Sequence, residues 1–410
     1  MKKLLFTLLF LTLGTAWGGA LEDGQAAYLC KDYATAVKLL RPLADSGDAY
    51  AQGLLGWWYT TGRNGITQDY KEALKWYELA AGQGDLFAQS ALGLVYAKGH
   101  GVTQDYKEAV KWFKLAGERG DADAQYNLGV KYGLGQGVLQ DHKEAVKWYR
   151  LAAEQGNAFA QYKLGVKYGL GQGVLQDHKE AVKWYRLAAE QGNAFAQYKL
   201  GNMYRNGQGV TQDYKEAIRL YRLAAEQGNA FAQNNLGAMY DFGQGVTQDY
   251  KEAIRFYRLA AEQGEENAQA NLGVMYHKGQ GVTQDYKEAH KWYRRSATQN
   301  IAKAQYNIGV LYHNGQGVTQ DYKEAHKWYR RSATQNNADA QYNLGVLYDN
   351  GQGVTQDYIL AHMWYSLASS AGDAAAIPNR DNLAKQMTPQ QIEKAQEMAK
   401  ACQASNFKGC

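Results

Sequence analysis

Apolar residues along this chain recur at the three-and-four spacing of a helix face, in short runs that Gly and Asp interrupt at regular intervals. In one such run Tyr106, Ala109, Val110, Trp112 and Phe113 share a face. Asp105 stands before it as an N-cap, and Glu108 lies three residues on, as in a capping box. The run ends at "GERG" or "AEQG", where Gly120, Gly156, Gly192 and Gly228 suit the left-handed conformation that closes a helix. Asp121, Asn157, Asn193 and Asn229 then cap a second pattern, carried in the first case by Ala124, Gln125, Leu128, Gly129 and Tyr132. The predicted unit is a pair of helices. Gly129, inside a helix, costs about 1 kcal/mol relative to Ala, which close packing of the paired helix would offset.

The unit repeats. Asp69, Asp105, Asp141, Asp177, Asp213, Asp249, Asp285, Asp321 and Asp357 fall in register at intervals of 36 residues, and a shorter copy begins at Asp32 in "KDYATAVKLL". Tyr126 to Gln161 and Tyr162 to Gln197 differ only at Asn127 against Lys163, so the array has grown by duplication of whole units. A helix pair cannot bury its apolar face alone, whereas a stack of pairs buries a seam between neighbours. The stack needs an end. The last unit carries Ile359 and Leu360 where others carry Lys and Glu, and "RDNLAKQM" and "TPQQIEKAQEMAKAC" read as two covering helices, the second with Thr388 at N-cap, Pro389 at N1 and Gln391 at N3.

The unit "NAFAQYKLGVKYGLGQGVLQDHKEAVKWYRLAAEQG" closely resembles the Sel1-like repeat, a relative of the tetratricopeptide repeat, with the extra length in the GQGV loop. The resemblance covers Asp48 to Gly372 as nine units. It implies an all-α fold, an α-solenoid wound as a right-handed superhelix, that works as a scaffold for protein assemblies, with the first helix of each unit lining the concave face. Many bacterial members of the family look like exported or envelope proteins. The expected organisation is a signal peptide over 1–20, a short helical pair over 21–47, nine repeats over 48–372, and capping helices with a tail over 373–410.

Export is read from the residues as well. "MKKLLFTLLFLTLGTAWGGA" has two lysines, an apolar stretch from Leu4 to Leu13, and Gly18 and Ala20 placed for cleavage before Leu21. That stretch is well short of the roughly 20 residues a membrane-spanning helix requires, so periplasm or secretion is expected and stable membrane insertion is not. Without Lys2 and Lys3 the formal charge falls from +5 to +3, with Lys and Glu interleaved, which argues against nucleic acid as a partner.

Candidate chemistry is sparse. The GQG loops follow a helix and lack the GxxxxGK pattern, so they read as turns. His290, His326 and His362 share one station that Leu74, Val110, Val146, Val182, Ile218 and Ile254 hold elsewhere, which points to packing and not to a metal site. The one SxxK match, Ser405 to Lys408, has no companion motif. Cys402 and Cys410 can close a small terminal disulfide loop, leaving Cys30 as a free, packed thiol.

The best candidate surface is a pair of rows on the first helices. One is Tyr126, Tyr162, Tyr198, Tyr306 and Tyr342, interrupted by Asn234 and Ala270; the other is Asn127, Asn235, Asn271, Asn307 and Asn343, with Lys163 and Lys199 in place of Asn. Amides at fixed intervals can pair with the backbone of an extended peptide, and tyrosines add rigid contact area. Arg205, Asp241, His277, His313 and Asp349 vary beside them, where partner choice could be encoded. The expected function is non-enzymatic binding of a protein or peptide, without cofactor or metal. The alternatives are envelope glycan (peptidoglycan) binding, or a penicillin-interacting or weak hydrolase activity.

Overall fold

The structure, a computed structural model, describes residues 18–62 and 66–410. Among them every regular element is a helix, from Gly18–Leu29 to Pro389–Ala404, and consecutive helices pack in pairs, as Ala122–Leu134 does on His142–Glu154. The expected signal segment lies outside the described residues apart from its last three, which open the helix Gly18–Leu29. The fold is an all-α solenoid of consecutive helix pairs. It divides into two compact units: one reaches Ala196 and includes Gln208–Thr211, and the other comprises Gln197–Gly207 and Gln212–Cys410.

In the N-terminal unit the pair Ala122–Leu134 and His142–Glu154 shows how a repeat is built. Asp121 accepts from the Ala124 amide at its N-terminus, and Asp141 accepts from those of Lys143 and Glu144 at the second. A Cβ on Gly129 would lie 2.5 Å from the Tyr149 ring, so the glycine admits a buried tyrosine between the two helices. In the loop, a Cβ on Gly137 would lie 2.2 Å from the carbonyl oxygen of Tyr106, because this turn is pressed onto the preceding repeat's second helix. Small overlapping cores result: Phe113, Leu128 and Trp148 share one cluster, and Tyr149, Leu164 and Trp184 share the next.

The C-terminal unit repeats this arrangement with Tyr257, Tyr293, Tyr329 and Tyr365 over Gly237, Gly273, Gly309 and Gly345. Where "AEQG" becomes "ATQN", Asn300 and Asn336 take the left-handed conformation in place of Gly (φ 68° and 61°). Ile359 and Leu360 pack into the terminal cluster together with Ile392 and Met398 of the last helix. Thr388 and Gln391 form a reciprocal capping box there.

A row of glutamines that sequence reading passes over joins the repeats. The buried Gln125 donates from Nε2 to the Gly117 carbonyl of the preceding unit at 2.9 Å, and its Oε1 accepts from Gln155, at the end of its own unit's second helix, at 2.7 Å. The same relay links Gln161 to Gln191, Gln233 to Gln263 and Gln305 to Gln335. Two members, Gln89 and Gln341, keep a buried Oε1 without a partner, because Arg119 and Ala371 occupy the donor's station after the second helix.

Three expectations need correction. Glu108 does not close a capping box: the Asp105 amide donates to the Tyr96 carbonyl at 2.9 Å, so Glu108 turns to Lys111 instead. Cys30 is free but exposed, not packed. The first covering helix spans Ala376–Ala384, beginning four residues before the stretch that suggested it.

Candidate binding surface

The first helices place both rows at half-buried stations. Each tyrosine leans on the tyrosine that fills the glycine notch of its own repeat. Ring centroids are 6.0 Å apart for Tyr126 and Tyr149, 6.3 Å for Tyr198 and Tyr221, and 5.8 Å for both Tyr306–Tyr329 and Tyr342–Tyr365. Burial pushes the Tyr221 phenol up to about 12, so this inner row is neutral and works as packing. On its other side Tyr126 meets Phe159 of the next repeat at 6.0 Å, and Tyr162 meets Phe195 at 6.0 Å; in the C-terminal unit Tyr198 meets Phe231 at 5.7 Å. These phenylalanines are 50 %, 52 % and 45 % exposed. Lys163 and Lys199 lie over the rings of Tyr162 and Tyr198, 5.7 and 5.4 Å from the centroids.

The amide row is partly engaged within the protein. Asn127 and Asn343 donate to carbonyls of their own helices, Asp123 and Asp339, each at 2.8 Å. Asn235 reaches Asn202 of the preceding repeat at 2.9 Å, and Asn271 reaches Asn234 at 3.1 Å; Asn307 occupies the same half-buried station. The variable stations also face inward. The Tyr257 and Tyr365 hydroxyls donate to Asp241 and Asp349, while His277 and His313 meet Tyr286 and Tyr322 edge-on.

The phenylalanines were absent from the sequence reading. Their signal was an aromatic residue at the second position of a helix, off the face that defines the core. Also unread were Lys131 and Lys167, buried where other repeats carry Val, Met or Leu. Burial lowers both amines, which are held by Gln136 and Gln172; Lys131 further lies 4.2 Å from the Tyr106 ring centroid.

The remaining candidates are scattered. His326 Nε2 lies 3.0 Å from the Tyr348 hydroxyl, and His290 is edge-on to Tyr312. Among the described residues no group of three or more His, Cys, Asp or Glu is gathered to hold a metal ion. Ser405 closes the C-terminus of the last helix, its hydroxyl donating to the Cys402 carbonyl. Cys402 and Cys410 are joined as a disulfide with Cα atoms 5.7 Å apart, and Arg330 donates twice to the Cys410 carbonyl.

The Sel1 repeat model matches nine consecutive segments, from 49–85 to 338–373. A protective antigen of uropathogenic Escherichia coli with an SLR fold, c5321, is 32% identical, with 95% of this chain and 92% of that one covered at a TM-score of 0.62. A Sel1 repeat protein from Oxalobacter formigenes is 34% identical over 60% of this chain and 96% of its own, at a TM-score of 0.55. No curated protein matches the chain. With the glycine notch recurring in each matched segment, filled by a buried tyrosine in all but 86–121, where Phe113 takes its place, the chain belongs to the Sel1 repeat family.

Proposed function

We propose that this protein is an exported, non-enzymatic scaffold that holds an extended segment of a partner protein along its first helices. The observation that carries the reading is a Tyr–Phe pair repeated at one station, Tyr126 with Phe159 and Tyr162 with Phe195, and again Tyr198 with Phe231, each phenylalanine about half exposed. Rings fixed by packing lose little freedom on binding, so most of the ordering cost falls on the partner. The amide row adds to this: an Asn that spends one N–H inside the protein keeps its carbonyl oxygen and a second N–H for a peptide backbone. The Lys2–Leu13 pattern and a disulfide pairing that suits an oxidising compartment support export.

The test uses a displayed random-peptide library selected on the full chain, followed by titration of the selected peptides. Phe159→Ser with Phe195→Ser is expected to weaken binding about tenfold or more at unchanged helicity. Asn271→Ala, Asn307→Ala and Asn343→Ala together are expected to weaken it less, since the Asn271 and Asn343 amides are already partly committed. Binding indifferent to both sets would sink the proposal, and retention on insoluble peptidoglycan without any peptide ligand would transfer the aromatic pairs to a glycan role. Mass spectrometry of the cell-derived protein is expected to find Leu21 at the N-terminus; an intact Met1 would remove the export element.

A further inference from the structure

The last repeat opens onto a polar cleft that the aromatic pairs and the amide row do not use. In the preceding repeat His326 meets Tyr348, 22 residues on, and the same interval from His362 arrives at Ala384. The register is structural: the helix Ala376–Ala384 packs on Tyr358–Ser370 as the first helix of a tenth pair would. Its Ala376 and Leu383 are buried, as are Ala340 and Leu347 one period earlier. An alanine methyl therefore stands where the pattern places a phenol. The space vacated opens into a cleft of about 550 Å³ between the last repeat and the two covering helices.

Its lining includes His362, Ser366, Ser370, Arg380, Asp381 and Lys400. His362 is only 3 % exposed and has its Nδ1 3.4 Å from the Ser366 hydroxyl. Arg380 donates from Nε and Nη2 to Asp381 Oδ1, which leaves Nη1 uncommitted by that pair. Burial, reinforced by the Arg380 charge, lowers the His362 imidazole and keeps it neutral. Two cations against one carboxylate leave a single positive charge in a wall otherwise neutral and mostly polar. A phosphate dianion would be undercompensated there, whereas one carboxylate is matched.

We propose that this cleft binds a small polar monocarboxylate, with the carboxylate on Arg380 and Lys400 and its hydroxyl or amide groups on His362, Ser366 and Ser370. A sugar acid and the free end of a peptide share that chemistry.

Calorimetric titration of the full chain with sodium glucuronate, and with acetyl-Gly-Ser as free acid and as amide, tests it. At least one free acid is expected to bind and the amide is not; which acid binds identifies the source. Ala384→Tyr puts back the phenol of the repeat and is expected to weaken binding about tenfold or more without lowering the melting temperature. Arg380→Gln is expected to do the same at an unchanged circular dichroism spectrum. No heat from either acid, or titrations that both variants leave as they were, would overturn the proposal.

Discussion

Two glycines four residues apart in the helix Ala122–Leu134 do different jobs. A Cβ at Gly129 would meet the Tyr149 ring at 2.5 Å, whereas one at Gly133 finds its nearest neighbours at 3.8 Å. Gly133→Ala should therefore show the ordinary helix gain, up to about 1 kcal/mol. Gly129→Ala forces the helices apart and is expected to cost about 1–3 kcal/mol. Urea unfolding should move in opposite directions for the two; equal shifts would mean that the notch is not a packing constraint. His290 and His326 act at the same scale. Burial, with Arg294 and Arg330 adding to it, lowers both imidazoles below their usual range. Between that lowered value and an unfolded value of about 6.5 the unfolded chain binds more protons, so stability rises with pH across this window. It is fully present above the unfolded value and is lost as pH falls through the folded one. The melting temperature is expected to drop from pH 7 to pH 5, and His290→Val with His326→Val, the residue of other repeats, to flatten that slope. Asp121 and Glu265, raised by burial, work in the opposite sense but in the more acidic carboxylate range.

Between elements, the glutamine relay sets how one pair of helices grips the next. Gln89 has a buried carbonyl oxygen without a donor because Arg119 stands at the relay station and donates to the Gly84 carbonyl instead. Arg119→Gln supplies the missing amide and can keep the bond to the turn, as Gln299 does with the Gly264 carbonyl. A gain of about 0.5–1.5 kcal/mol is expected. Gln155→Ala makes the opposite change, orphaning Gln125 Oε1 at a cost of about 1–3 kcal/mol. Chemical denaturation of the two variants should give shifts of opposite sign. Here the reach of the sequence becomes visible. Caps, glycine turns, helix pairing and the tenth-pair cover were legible, because each is local or fixed by the period. The relay was not, since its members lie 30 residues apart on the two helices of a pair and a lone Gln carries no sign of its partner. Glu108 was misread for a related reason: its expected donor had been claimed by Tyr96 of another helix. The tyrosine and amide rows could be listed from the text. That half of each is spent on internal contacts, and that Phe159 and Phe195 stand out beside them, depends on geometry between neighbours.

At the scale of the molecule, stability is a sum over neighbours, because the cores are small and each overlaps only the next. The terminal seam gives a direct test of that statement. Ile359 and Leu360 pack into the terminal cluster that the covering helices complete, where every earlier repeat carries a Lys–Glu pair. Ile359→Lys with Leu360→Glu restores the common residues and removes roughly 2–3 kcal/mol of apolar burial from this seam. The disulfide and the bonds from Arg330 hold the tail but supply no apolar burial to replace what is lost. Hydrogen exchange is expected to show amides of 376–404 losing protection while those of Ala230–Phe242 and Tyr250–Glu262 keep theirs. A loss spread evenly over the C-terminal unit would instead mean that the repeats unfold as one cooperative body, and the additive account would fail. The same variant bears on the cleft beside His362, whose walls are the two helices released: monocarboxylate binding should disappear with their protection, whereas peptide binding at Tyr126–Phe159 and Tyr162–Phe195 should be untouched.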